Sequence, residues 1–275
     1  MLHTIEIDGR ERDIDVRPMD EGFIVYRKMY VAPLTPANIG CVNPGDWAEH
    51  LEEFKARGWQ KLIEDFFRRQ ILALGSCAML AWDGDGVIGK MYFTTREMWD
   101  TFRAQGAWYC VEHKSMPEFL LSLTEQEERD LLASPSRTLY APCFNIGHSD
   151  RRYHGKGIAS AMLEVLKTWA GEQGWRRLEM SSCADIIPFW ALGGHVLRRG
   201  ALERRGFHLA RRVALDPETA ATRRRIVLEA AEGQCPDYEW LDDYGRAHAR
   251  TVAGMLADQS WEAECEVDYV MACDL

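Results

Sequence analysis

The residues best suited to chemistry lie in Tyr153-His154-Gly155-Lys156-Gly157-Ile158-Ala159-Ser160. Two glycines flank a lysine, and an amphipathic run follows with Ile158, Met162, Val165, Leu166 and Trp169 on one face. That pattern predicts a turn entering a helix. The first turn of a helix carries backbone N–H groups without intrahelical partners, and the helix dipole adds positive potential there. Gly155 and Gly157 lack a Cβ, so an anion oxygen can approach the backbone, and Lys156 adds a mobile positive charge. The ligand implied is a pyrophosphate. A Walker A loop would need glycine at Asp150, and a dinucleotide fingerprint would need glycine at Ser160, so both of those readings are weak.

A strand must feed this turn, and Leu139 to Ser149 reads as one. Charge is distributed to match. Residues 1–150 carry 16 basic and 24 acidic side chains, residues 151–225 carry 15 and 7, and residues 226–275 carry 2 and 12, giving the net −10. The basic segment holds the glycine turn, which suits a multiply anionic ligand. Its acidic flanks would repel a nucleic-acid backbone.

The stretch resembles the phosphate-binding motif of the GNAT family of N-acetyltransferases, Q/R-x-x-G-x-G/A, here His154-x-x-Gly157-x-Ala159. The resemblance is close over 149–174 and looser over 77–94 and 175–212. Histidine stands at 154, where the family usually has Gln or Arg. By resemblance the coenzyme A contacts fall on Gly147, His148, Ser149, His154, Gly155, Lys156, Gly157, Ile158 and Ala159. The strand before the turn is expected to splay from its neighbour and to pair with the pantetheine arm through the backbone of Gly147, His148 and Ser149. The co-substrate implied is acetyl-CoA, with no metal. The reaction implied is direct acetyl transfer to a primary amine in a ternary complex.

Some members place a glutamate base on this strand, and that position is Ala141 here. By strand alternation Cys143 and Asn145 should share its face, with Tyr140 and His148 on the other. The next family helix shows N-x-x-A-x-x-x-Y-x-x-x-G-F. Gly206-Phe207 ends it, His195 takes the Asn position and Leu202 the position of a tyrosine that protonates the leaving thiolate. The weak catalytic candidates are therefore Cys143, Asn145, His148 and His195. Cys143 would act as a nucleophile and His195 as an acid. Arg198, Arg199, Arg204 and Arg205 are expected near the C-terminal end of that helix, which Gly193-Gly194 would kink or divide.

Along the rest of the chain, 1–30 reads as extended and 31–45 as loop. Asp46-Trp47-Ala48-Glu49 is a capping box, and a second helix carries Leu62, Ile63, Phe66, Phe67 and Ile71 beyond Gly58. Cys77 to Trp82 and Val87 to Thr94 form a hairpin around Asp83-Gly84-Asp85-Gly86. A calcium loop is not favoured there, because Thr94 stands where its glutamate would be. The hairpin resembles the second and third strands of the family fold.

Residues 95–137 look like an insertion over the acceptor site, with Trp99, Phe102, Trp108 and Tyr109 clustered in it. Pro117 begins one short helix, and Thr124 to Glu127 caps another that Pro135 closes. Glu112 and His113 are titratable there, with a surface role expected. His208 to Leu215 reads as a strand, Asp216-Pro217 as a helix start, and Arg223-Arg224-Arg225 as a solvated face. A helix over 237–259 and a strand over 265–275 follow. Residues 216–262 read as a second insertion.

The composition, 47% hydrophobic and 28% charged, argues against disorder. No apolar run approaches the ~20 residues of a membrane helix. The opening Met1 to Glu6 lacks a signal-peptide pattern, and the eight cysteines never form C-x-x-C, so a cytoplasmic protein with reduced thiols is expected. The fold class is α/β (α+β): a mixed, mostly antiparallel twisted sheet flanked by helices, with helical insertions. One acyl-CoA N-acyltransferase-like domain would span 1–275, with its core motif over 139–213. The partner is a small-molecule or peptide amine, without nucleic acid or membrane, and a homodimer is allowed. The alternative function is a non-catalytic CoA-binding sensor or assembly module, motivated by Ala141 and Leu202.

Overall fold

The computed structural model describes residues 1–20, 53, 56–106, 115–146, 150–188, 196–234, 243–257 and 260–275. Among the described residues the first four strands are β1 (Leu2–Ile7), β2 (Arg10–Pro18), β3 (Ala78–Asp83) and β4 (Gly86–Thr95). The next four are β5 (Thr138–Ile146), β6 (Arg177–Ser182), β7 (His208–Ala214) and β8 (Val267–Asp274). The helices are α1 (Trp59–Leu74), α2 (Arg96–Ala104), α3 (Ser115–Ser122), α4 (Glu125–Ala133), α5 (Ile158–Glu172), α6 (Arg199–Glu203), α7 (Pro217–Ala231), α8 (Asp243–Met255) and α9 (Trp261–Glu264). None of the described helices is long and apolar enough to cross a membrane.

The strands form one sheet in the order β1-β2-β3-β4-β5-β6-β8-β7. All neighbours are antiparallel except β5 and β6. Parallel neighbours need a crossover, and α5 supplies it. A β5–α5–β6 unit therefore sits inside a mixed, mostly antiparallel sheet, as the fold class expected. The hairpin β3–β4 occupies the third and fourth positions, because β1–β2 adds a hairpin ahead of it.

Helices cover both faces. α5 buries Ile158, Met162, Leu163, Leu166 and Ala170, and its Trp169 ring packs 5.1 Å from Phe93 of β4. On the other face, Phe67 of α1 stacks on Tyr92 at 5.6 Å, and Gln70 accepts a hydrogen bond from Thr94 at 2.8 Å. α2 lies on that same face, with Trp99 stacked on Tyr140 at 4.6 Å. Leucine and phenylalanine at helical spacing thus bury against β-branched and aromatic strand residues from both sides.

Several expectations need correction. α6 begins only at Arg199, with Arg198 as its N-cap, so these two arginines lie at its N-terminal end rather than near its C-terminus. The Asp185 carboxylate accepts from Gly200 N at 2.8 Å and fixes that start. Arg223 is not solvated: it is 7% exposed and donates to Asp268 of β8 at 2.8 Å, because α7 turns this face toward the sheet. Arg225 does lie outside, paired with Glu229, while Arg224 is half-buried and pairs with Glu266. The helix expected to begin at Pro117 begins at Ser115, which leaves the proline in the first turn, where its missing N–H costs little. The Asp46 capping box, Trp108, Tyr109, Glu112, His113 and the Gly193-Gly194 pair lie outside the described residues.

Candidate anion site at the end of the β5–α5–β6 unit

The glycine turn forms as its sequence requires. Gly155 and Gly157 have φ of 68° and 79°, values that L side chains rarely adopt. Gly157 is the N-cap of α5 and supplies no side-chain cap, so no hydroxyl or carboxylate of its own covers the first-turn N–H groups. One expectation changes. A Cβ on Gly157 would lie 3.4 Å from His3 Nε2, so that side of the glycine faces β1 rather than a ligand. Glycine is needed at 157 for its backbone angle.

Charged residues hold the turn from behind. A short 3₁₀ turn, Arg151–Tyr153, precedes it. Arg152 pairs with Asp150 and with Asp8 of the β1–β2 turn, at 2.6 and 2.8 Å. Tyr153 donates to Asp83 at 2.7 Å, and Arg12 of β2 donates to the same carboxylate oxygen at 2.7 Å. Three turns distant in sequence are thereby pinned together. Burial alone would raise the pKa of Asp83, but the Tyr153 hydrogen bond and the Arg12 pair outweigh it and hold it low. Burial and the bond to Asp83 push Tyr153 up to about 12.

Arg152 is committed to two carboxylates, which leaves other cations for an anion. Lys156 is exposed. Arg205, just past α6, donates to Ser160 Oγ in the first turn of α5 at 2.6 Å. Sequence reading missed Arg205 as a site residue, because it placed this arginine only as a helix-dipole partner. His154 Nε2 lies 3.0 Å from the Ile146 carbonyl; a carbonyl only accepts, so Nε2 donates. The ring thus ties the turn to the end of β5.

A fork opens beside the turn. β5 pairs with β6 only from Thr138 to Ala141, opposite Arg177 to Met180. Beyond that point β5 stays with β4 as far as Ile146, and Ser181 and Ser182 of β6 stay with β8. The residue after Ala141 is Pro142, which has no N–H for either neighbour. A bulge falls at the same place: Tyr92 and Thr94 of β4 oppose Cys143 and Tyr140 of β5, so β5 carries one extra residue. The bulge breaks the alternation expected from sequence. Cys143 and Asn145 take register positions on the face of Tyr140 and Tyr92, not that of Ala141.

At the vertex of the fork, Tyr140 Oη and Ser181 Oγ are 2.7 Å apart. The Trp99 ring stacks on Tyr140, and the Arg96 guanidinium lies 5.2 Å from the Tyr140 centroid. Burial raises the Tyr140 pKa against the hydrogen bond with Ser181 and the charge of Arg96. Glu179 on this face is engaged by both Arg96 and Arg177. The Leu202 side chain is fully buried (0% exposed) and has no proton to give. Cys183, past the end of β6, is buried too, and burial raises its thiol pKa well above the ordinary value.

Of the residues expected to act, the structure brings His154, Gly155, Lys156, Gly157, Ile158 and Ala159 together at one turn, with Asn145 on the strand that leads to it. Gly147, His148, Ser149 and His195 lie outside the described residues, as does the side chain of Cys143. The donors present fit a pyrophosphate: helix N–H groups without a side-chain cap, a basic side chain on either side, and strand backbone freed by the fork. A cavity of about 690 Å³ lies elsewhere, between α1, α4 and Trp175. Its Arg69 and Glu128 pair with each other, and its Arg137 caps the carbonyls of Gln173 and Gly174.

No protein-family model matches the sequence, and no curated protein matches it. Among solved structures, the chain is similar to the apo form of an agmatine N-acetyltransferase mutant, at 12% identity over 95% of this chain and 99% of that chain, with a TM-score of 0.43. It is similar to a polyamine N-acetyltransferase of Drosophila melanogaster, at 11% identity over 96% and 100%, with a TM-score of 0.41. It is also similar to the PaiA N-acetyltransferase of Thermoplasma acidophilum in complex with coenzyme A, at 8% identity over 95% and 99%, with a TM-score of 0.37. At these identities and scores, function rests on the chain's own geometry.

Proposed function

We propose that the protein is an N-acetyltransferase of the GNAT type, moving an acetyl group from acetyl-CoA to a primary amine. One observation carries the reading: the glycine turn, the uncapped N-terminus of α5 and the β5/β6 fork meet at one end of a single β–α–β unit. That end offers backbone donors for a pyrophosphate and, beside them, strand edges for an extended arm. The turn from His154 to Ala159 holds the diphosphate, Lys156 and Arg205 supply charge, and β5 beyond Ala141 orients the arm.

When bound, acetyl-CoA supplies the acyl group as an activated thioester. The nitrogen gives up one proton as the C–N bond forms, and the sulfur needs one as the C–S bond breaks. Ala141 and Leu202 carry no proton, and Glu179 is committed to two arginines. The Tyr140–Ser181 pair is the proton carrier at the vertex: Ser181 passes a proton to the sulfur and recovers one from Tyr140, and the proton that the nitrogen gives up returns to Tyr140, so the pair ends as it began. Tyr140 is protonated at neutral pH, like any tyrosine, and burial moves its pKa further up.

Calorimetric titration with acetyl-CoA, alone and in Gly157→Glu, tests the site. Saturable binding that the variant loses, while its thermal midpoint shows it still folded, supports the reading. Absence of binding to the unaltered protein overturns it. A second reading, a CoA-binding module without catalysis, is favoured by the buried Leu202 and by Ala141. Thiol release over a panel of alkylamines, arylalkylamines and peptide N-termini separates the two.

A further inference from the structure

We propose that His3 is a positioning residue for the anion cradle, holding the Lys156–Gly157 peptide so that the Gly157 N–H faces the ligand. This rests on the acetyl-CoA site proposed above. His3 belongs to β1, at the edge of the sheet, yet its Nε2 lies 3.1 Å from the Lys156 carbonyl oxygen. A carbonyl only accepts, so Nε2 donates. The C=O of Lys156 and the N–H of Gly157 belong to one peptide unit, and in a trans peptide they point in opposite directions. Drawing the carbonyl toward β1 therefore turns the Gly157 N–H away from β1, where it joins the first-turn N–H groups of α5.

The imidazole also lines the space beside the glycine: a Cβ on Gly157 would lie 3.4 Å from Nε2, in van der Waals contact. The same hairpin grips the loop a second time, through Asp8 and Arg152 at 2.8 Å. The two contacts fall on either side of Gly155. The hairpin itself is well anchored: β1 pairs with β2 from Leu2 to Ile7, and Thr4 donates to Asp13 at 2.7 Å. A loop with two glycines would otherwise sample many peptide orientations, and the hairpin removes that freedom before the ligand arrives.

The test compares His3→Ala, His3→Gln and His3→Asn in calorimetric titration with acetyl-CoA, with thermal midpoints measured alongside. The amide nitrogen of Gln reaches about as far as Nε2, whereas that of Asn falls short. His3→Ala and His3→Asn should weaken binding about fivefold, as expected for one lost hydrogen bond, and His3→Gln should restore it. The inference is overturned if His3→Ala binds as the unaltered protein does, if Gln fails to rescue, or if affinity falls only in step with the thermal midpoint. No binding by the unaltered protein would instead overturn the acetyl-CoA site, and this inference with it.

Discussion

Tyr140 Oη and Ser181 Oγ meet 2.7 Å apart at the vertex where β5 and β6 separate. If this pair carries the proton, Ser181→Ala and Tyr140→Phe should each lower kcat on the order of 10²-fold in a thiol-release assay. Acetyl-CoA affinity should hold, because neither hydroxyl lies at the glycine turn. Full turnover in Ser181→Ala would remove the relay.

The Asp83 hub sets a pH dependence of stability at both extremes. Tyr153 keeps its proton to about pH 12 in the folded protein, against about 10 when unfolded. Its contribution is complete below about pH 10 and is lost as the pH rises to about 12. Asp83 is held low, so its contribution is present above about pH 4 and is lost as the pH falls through its folded value. Tyr153→Phe should flatten part of the alkaline loss in urea titrations. Tyr269, also pushed up to about 12 by burial and its bond to Glu264, accounts for a further part. An unchanged alkaline limb in Tyr153→Phe would count against the hub.

Arg223 and Asp268 form an asymmetric pair, with the guanidinium buried and the carboxylate 37% exposed. Asp268→Ala should cost about 2 kcal/mol, less than the roughly 3–5 of a fully buried pair, because Asp268 is partly hydrated. Arg223→Met should cost less, since it removes the buried charge itself and leaves unpaired only the partly hydrated Asp268. Urea midpoints that rank the two variants the other way would contradict this.

Cys77 and Cys183 are buried, and burial raises both thiols well above their ordinary pKa. Neither should react with a thiol reagent at neutral pH until the protein opens, so labelling rates should follow unfolding. Fast native-state labelling of Cys183→Ala and the unaltered protein alike would locate reactivity elsewhere. Cys143→Ala should retain turnover if attack on the thioester is direct.

Features governed by near neighbours in sequence were legible. Thr124 and Glu127 make both arms of the capping box, and Asp216 caps the helix that Pro217 opens. The glycine turn and its amphipathic helix also follow local rules. The hub at Asp83, the burial of Arg223 and the His3 contact were not, because their partners lie 45 to 153 residues away and topology alone brings them together. Pro142 did carry a signal, a proline inside a strand run, for the bulge that shifts Cys143 and Asn145 to the other face.

The strand order carries a kinetic consequence. β7 pairs with β8 and with no other described strand, and β8 inserts between β6 and β7. During synthesis β7 leaves the ribosome with its partner still some fifty residues behind, from Ala214 to Val267. Until β8 arrives, the free flank of β6 has nothing to pair with either. Closure of this side of the sheet is therefore a late, long-range step, of the sort that slows folding and leaves strand flanks open to other chains.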